Sequence, residues 1–358
     1  MPVTIQLPAE LADRLARLRS SRRPGAPADT RGTEASARRL SERYRADRPA
    51  ASPIIADAGD ASAYALTRLP ATFAAARFAF EELARAVPGL APRTLLDVGA
   101  GTGAATAAAW ATWDSLDAAT LEDYSAPALA VAREVLAATD LDVTTTVASI
   151  GPRRAVRADP GAGAAVRADD TDDAAGPDRR ADLAVAGYVL SEIDDAARRA
   201  LVDRLTAGAR EAVVVIEPGT PAGFRRVLEV RAELLRRGWR VAAPCPHEEA
   251  CPVAAREGDW CHAAVRLPRT REHRAAKGGE RGFEDEKFSW VAALAPTSGP
   301  AIARPAGRVL RHPETRPGHI RLELCAPDGG IEQVTVTKRD RDAFRAARKI
   351  EWGEAWEL

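Results

Sequence analysis

Between residues 94 and 219 short apolar runs alternate with stretches of helical character, and this alternation constrains the fold more than any other feature of the chain. The runs are TLLDVG (94–99), ATLEDY (119–124), VTTTVA (143–148), ADLAVAGYVL (181–190) and EAVVVIEPG (211–219). Each has strand length, and the stretches between them are long enough to cross over by a helix, so they read as βαβ units. That implies a mostly parallel sheet with helices on both faces, an α/β architecture. Upstream, Leu11, Leu15 and Leu18 fall at helical spacing, and Phe73, Ala76, Phe80 and Leu83 mark one face of a second helix that Pro70 is expected to open and Val87-Pro88-Gly89 to end. Downstream, HIRLELC (319–325) and IEQVTVT (331–337) alternate around Asp328-Gly329-Gly330, the pattern of a β-hairpin. The stretch from Arg153 to Arg180, rich in Ala, Asp, Gly and Arg without periodicity, reads as a mobile insertion. The expected organisation is an N-terminal helical region at 1–86, a Rossmann-like domain at 87–243, a cysteine-rich and basic segment at 244–293, and a β-rich segment at 294–358.

DVGAGTG, residues 97–103, follows the first run and precedes an Ala-rich helical stretch at 104–112. Gly99, Ala100, Gly101 and Gly103 would let the backbone turn tightly and approach a ligand, and the helix start adds free N–H groups. Glu122 ends the next strand, 19 residues after Gly103, where a carboxylate accepts ribose hydroxyls, with Asp123 as a competing ligand. The aspartate-led glycine pattern resembles the S-adenosylmethionine (SAM) loop of class I methyltransferases more than the G-x-G-x-x-G dinucleotide fingerprint. In that reading Asp97 faces the amino group of the methionine moiety. A glycine turn used only for packing and a nicotinamide site are the alternatives. GYVLSEI (187–193) stands where amino-methylating enzymes carry an Asn/Asp-Pro-Pro-Tyr/Phe element, so spacing names no catalytic base or nucleophile.

The chain has four cysteines, Cys245, Cys251, Cys261 and Cys325, spaced C-x5-C-x9-C-x63-C. They are too few and too clustered for a secreted disulfide framework, and the spacing is not that of a zinc ribbon. Four thiolates could hold a [4Fe–4S] cluster or Zn²⁺, and the bland alternative is four buried thiols. His247 and His262 stand beside the loop cysteines as substitute ligands.

APCPHEEACPV (243–253), DWCHAAVRLPR (259–269), GFEDEKFSWVA (282–292) and EPGTPAGF (217–224), behind LLDVGAGTGAA, resemble the mitochondrial small-ribosomal-subunit methyltransferase-like assembly-factor family and its bacterial relatives, from RLPATFAA (68–75) to ARKIEWGE (347–354). The resemblance implies a class I SAM-binding domain, a [4Fe–4S] cluster on the four cysteines with zinc as the fallback, and association with the small ribosomal subunit and its 16S rRNA. It leaves two readings, a SAM-dependent rRNA methyltransferase and a non-catalytic assembly factor on the same scaffold; a small-molecule methyltransferase is a third. The enzyme is the reading favoured, with catalytic residues unknown.

Charge distribution fits an RNA-facing surface. Basic and acidic residues number 51 each, yet residues 1–50 net +5, 51–261 net −9 and 262–321 net +6. Arg266, Arg269, Arg271, Arg274 and Lys277 closely follow Cys261 and would meet phosphates together. Trp260, Phe288 and Trp290 read as core filling more than as base-stacking groups. No DNA or membrane partner is expected. The N-terminus lacks a basic and an apolar leader region and no uncharged apolar run reaches about 18 residues, so a soluble, cytoplasmic protein is expected.

Overall fold

The computed structural model describes residues 2–20, 55, 57–150, 180–269, 282–296 and 299–358. Apart from Arg180, the insertion expected at 153–180 lies outside them. The chain opens with β1 (Val3–Thr4), α1 (Ala9–Ser20) and α2 (Ala58–Ala86). The alternating region follows as β2 (Thr94–Val98), α3 (Ala104–Thr112), β3 (Ala118–Asp123), α4 (Ala126–Leu136), β4 (Asp142–Val147), β5 (Ala181–Gly187), α5 (Asp195–Gly208), β6 (Ala209–Pro218) and α6 (Pro221–Arg236). Then come β7 (Arg240–Ala243), β8 (Ala263–Pro268) and β9 (Phe283–Leu294). The C-terminal part holds β10 (Gly307–Val309), β11 (Glu314–Arg316), β12 (His319–Cys325), β13 (Ile331–Thr337), α7 (Arg341–Ala347) and β14 (Ala355–Trp356).

The helices start where short polar side chains can take up free N–H groups. Asp57 accepts from Asp60 N at 2.8 Å to cap α2, Asp194 from Ala197 N at 2.9 Å to cap α5, and Thr220 from Gly223 N at 3.0 Å to cap α6. Pro70 does not open the second helix. It lies inside α2, because the buried stripe Ala61, Ala65, Leu69 and Phe73 runs straight through it. Burying that stripe against the sheet offsets the one backbone bond a proline cannot donate.

A central nine-stranded sheet has the order β1-β8-β9-β6-β5-β2-β3-β4. From β4 to β6 the strands are parallel, as the alternation predicts. β9 runs antiparallel beside β6, and its other edge is shared by β7 and β8. Strands of the cysteine-rich and basic stretch therefore complete the Rossmann-like sheet, and the short β1 adds to its far edge by pairing with β8.

Residues one apart on a strand face opposite sides, and here both sides are buried. Leu95, Leu183, Val185 and Val214 pack under α1 to α4, whereas Leu96, Ala184, Val213 and Val215 pack under α5 and α6. The expected hairpin is present as β12 and β13, paired from His319↔Thr337 to Cys325↔Ile331. It belongs to a five-stranded antiparallel sheet with β10, β11 and β14, whose inner face packs Ile320, Leu322 and Leu324 against Ala343 and Ala347 of α7. A small cluster of Phe224, Val253, Leu310 and Cys325 joins this sheet to α6 and to the cysteine loop. No helix among the described residues is long and apolar enough to cross a membrane.

Candidate functional site

At the carboxyl end of β2 the chain enters a loop in which Gly99, Gly101 and Gly103 all have positive φ, at 75°, 53° and 81°. A Cβ on Gly101 would meet nothing within 4 Å, so the loop presents bare backbone to open space there. At Gly99 the reason is packing, since a Cβ would fall 2.3 Å from Val189 Cγ2.

Asp97 is 1% exposed, and its Oδ2 accepts from Thr106 Oγ1 at 2.7 Å and Thr106 N at 3.2 Å, which ties β2 to the first turn of α3. Burial pushes its carboxyl up to about 7 against those bonds, with a smaller push from the nearby Asp123. The end of β3 grips the same loop. Gly99 N and Ala100 N donate to the Glu122 carbonyl at 2.7 and 3.0 Å, and Gly101 N donates to Asp123 Oδ2 at 2.8 Å. The Glu122 side chain pairs through both oxygens with Arg204 of α5. Neighbouring strand residues face opposite ways, so the side-chain carboxylate at the glycine loop is that of Asp123. Its other oxygen accepts from Ser125 N at 2.8 Å.

The segment after β5 is braced on two sides. Tyr188 adopts φ 62°, the sole non-glycine in the left-handed region among the described residues, a cost that surrounding contacts must hold in place. Its hydroxyl donates to Glu286 Oε1 at 2.9 Å, which also takes Arg68 Nη2 at 3.2 Å. Glu217, fully buried at the end of β6, accepts from Leu190 N at 2.9 Å and Arg226 Nε at 3.0 Å. Burial lifts the Tyr188 phenol well above its ordinary range and Glu217 to about 7. Tyr188, the one phenol in GYVLSEI, is a poor proton acceptor at neutral pH.

The second site lies where α6, the 244–262 loop and β12 meet. Cys245, Cys251, Cys261 and Cys325 all line one cavity of about 40 Å³, more than a single water needs. Burial and then the neighbouring thiols push Cys325 up to about 12 and Cys261 well above the usual thiol range. Without a bound cation these groups stay protonated. His247 Nε2 lies 3.1 Å from Cys325 Sγ, and His262 stacks on Trp260 with ring centroids 5.6 Å apart. Two buried arginines complete the wall. Arg231 Nη2 donates to the carbonyls of His247 and Glu249, and Arg308 donates to those of Pro244 and Gly353 and pairs with Glu82 of α2. Arg231 Nε, His247 Nδ1 and His262 Nδ1 are buried at this cavity with no hydrogen-bond partner. A set of three or more His, Cys, Asp or Glu side chains able to hold a metal ion is absent among the described residues.

Sequence spacing gave no sign of Arg231 or Arg308, because each is an ordinary arginine far along the chain from most of the cysteines. Of the expected RNA-facing residues, Arg266 pairs with Asp285 at 2.6 and 2.7 Å and Arg269 with Glu284 at 3.0 and 3.2 Å. Arg271, Arg274 and Lys277 lie outside the described residues. Phe288 and Trp290 are buried beside Phe78, in keeping with core filling.

A parallel-rich sheet in this order, with an aspartate-led glycine loop at its centre, defines a Rossmann-like α/β domain. The chain belongs to the family described as mitochondrial small ribosomal subunit Rsm22, whose model matches residues 58–357. It is similar to the human mitochondrial ribosome assembly protein METTL17, with 28% identity over 304 residues covering 81% of this chain. A shorter match to the mitochondrial ribosome assembly protein RSM22 of Saccharomyces cerevisiae has 36% identity over 50 residues, or 14% of this chain and 8% of that protein. Among solved structures, precorrin-6y C5,15-methyltransferase from Geobacter metallireducens aligns with 62% of this chain and 87% of its own, at 15% identity and a TM-score of 0.35. The chain spans 61% of the length of the human relative. The cytoplasmic location expected from the sequence does not stand, because the relatives are mitochondrial proteins. The expectation rested on the make-up of the first residues, which bears on secretion and not on the compartment in which the relatives work.

Proposed function

We propose that this chain is a SAM-binding, methyltransferase-like protein that works in assembly of the small ribosomal subunit, in contact with its 16S rRNA. The observation that carries the reading is the family match over residues 58–357 together with a glycine loop whose Gly101 faces open space. SAM bound there would supply an electrophilic methyl group. Asp97, held by Thr106, would face the ligand's ammonium, the start of α3 its carboxylate, and Asp123 its ribose hydroxyls. Glu122, the carboxylate expected from spacing, keeps Arg204 as its partner and supports the strand end.

The four cysteines would hold a [4Fe–4S] cluster. Two buried guanidinium groups, one of them with its Nε unpartnered, around a cavity of four thiols suit an anionic group with many acceptor sites. A lone tetrahedral zinc would draw its sulfurs to within about 3.8 Å of one another, whereas a cubane gives each thiolate its own iron and keeps the four apart. Anaerobically purified protein is expected to be brown, with about four irons per chain; stoichiometric zinc would replace the cluster reading, and neither metal would end it.

A non-catalytic assembly factor is the second reading. It is favoured by the braced segment after β5, where the Tyr188 hydroxyl already donates to Glu286 and burial holds the phenol protonated. Mass spectrometry of 16S rRNA from a deletion strain, run beside subunit sedimentation profiles, separates the two. A lost methyl group marks the enzyme, stalled small subunits with intact modification mark the factor, and a strain normal in both respects overturns the proposal.

A further inference from the structure

Among the described residues most arginines have a partner: those expected to face RNA at 266 and 269 are matched to carboxylates on β9. The outer face of the C-terminal sheet is different. In the β11–β12–β13 ladder Arg316 stands opposite His319, which stands opposite Thr337, and Arg321 stands opposite Thr335. Directly paired residues share one face of a sheet and lie about 5 Å apart, and successive rows on that face about 7 Å apart. Ile320, Leu322 and Val336 point the other way, into the core beneath α7. Lys338 and Arg339 follow at once. Lys338 N donates to Gly318 O at 3.2 Å, which seats them at the turn between β11 and β12.

Arg316, Arg321, Lys338 and Arg339 are all exposed, and none makes an ion pair or side-chain hydrogen bond. The acids nearby form no ion pair with them. Glu314 lies opposite Arg321 in register yet forms no pair with it, Glu323 is taken by Arg256 at 2.8 Å, and Asp340 caps α7 by accepting from Ala343 N at 2.9 Å. Two cations on this face and two more at the adjoining turn, none in an ion pair, with the hydroxyls of Thr335 and Thr337 and an imidazole beside them, match a partner carrying regularly spaced phosphates and neighbouring hydroxyls.

We propose that this face of the C-terminal sheet and the turn at its end, carrying Arg316, Arg321, Lys338 and Arg339, form the surface through which the protein grips the sugar-phosphate backbone of RNA. The inference rests on the ribosomal reading and adds to it where contact is made. Backbone contact of this kind is independent of base sequence and releases counterions, so it is read from the salt dependence of binding.

The test compares the full chain with the variant R316Q/R321Q/K338Q/R339Q and with R133Q/R199Q/R225Q/R348Q, which loses as many exposed charges elsewhere. Binding of transcribed small-subunit rRNA is measured over a range of salt, and anionic phosphatidylserine vesicles are the parallel arm. The face variant is expected to keep its melting temperature, bind RNA at least about tenfold more weakly at 0.1 M salt, and lose about three from the slope of log affinity against log salt. The control is expected to stay close to the unaltered chain. Arg321→Gln and Lys338→Gln alone, each lowering the slope by about one, keep the test decisive if the fourfold variant unfolds. A face variant that binds RNA like the unaltered protein, or like the control, overturns the assignment of the surface while leaving RNA as partner. An unaltered chain that binds vesicles and not RNA overturns the choice of partner, and one that binds neither overturns this inference together with the rRNA contact it rests on.

Discussion

Asp97 is a carboxylate in a place where charge is expensive. Its folded pKa of about 7 lies above the ordinary 3.8, with burial as the largest cause, so the folded state holds a proton that the unfolded chain has lost. The stability attached to that proton is fully present below pH 3.8 and is lost as pH rises through about 7. The group's share is on the order of 4 kcal/mol. Urea unfolding of the ligand-free protein should therefore show stability falling between pH 5 and pH 8. Glu217, also raised to about 7 by burial, acts in the same direction. Asp97→Asn keeps an acceptor for Thr106 and should remove about half of the slope; an unchanged slope would put the effect elsewhere. At Gly101 the space is open but φ is positive, so Gly101→Val adds a branched side chain where a ligand would approach. Calorimetry should find SAM binding lost in that variant, and equal affinity would move the site away from this loop. Asp97 and the glycines were legible from the sequence because they are contiguous. The choice between Glu122 and Asp123 was not, because it turns on which face of β3 each carboxylate takes, and Arg204 is 82 positions from Glu122.

The elements show the same division between local and distant information. The parallel strands β2, β5 and β6 were readable because they are largely buried apolar runs, β3 and β4 because they follow them in the same strand–helix rhythm, and α2 was misread at Pro70 because its buried stripe outweighs one missing backbone bond. The five-stranded C-terminal sheet was half visible. The alternating pair β12 and β13 carries its own turn, whereas β10, β11 and β14 have two or three residues each and exist only by pairing. β12 and β10 hold the wall of the cysteine cavity between them, with Cys325 directly opposite Arg308. Arg308 is 4% exposed and bonds the loop at Pro244, the C-terminal segment at Gly353 and α2 at Glu82. Arg308→Met is expected to cost about 3 kcal/mol, since it strands two buried carbonyls and removes one of the two arginines on Glu82. Chemical denaturation reads that loss, and a change below about 0.5 kcal/mol would show that the contacts are dispensable.

For the whole molecule the question is whether the two sites act as one. The glycine loop is built from β2, α3 and β3, and the cysteine cavity from the 244–262 loop, α6 and the C-terminal sheet. A group ligated by Cys245, Cys251, Cys261 and Cys325 would close the chain across more than sixty residues, where a clip limits the unfolded ensemble most. The cavity meets β8 and β9 directly, where Ser289 Oγ donates to the Cys261 carbonyl at 2.7 Å, and the link toward the glycine loop is the pair of Arg308 with Glu82 on α2, a helix that also packs against α3. That pair is anchored by the backbone carbonyls of Pro244 and Gly353 and by Arg85, bonds that do not depend on what the cavity holds, so emptying the cavity should leave it standing. Cys325→Ser is therefore expected to lower metal content, to speed amide exchange in 244–262 and 307–326, and to leave exchange in β2 and β3 and the affinity for SAM near those of the unaltered chain. Full metal content in that variant would remove Cys325 from the ligand set. A parallel loss of SAM affinity would mean that α2 carries strain from one site to the other, and Glu82→Gln should then reproduce that loss with all four cysteines intact.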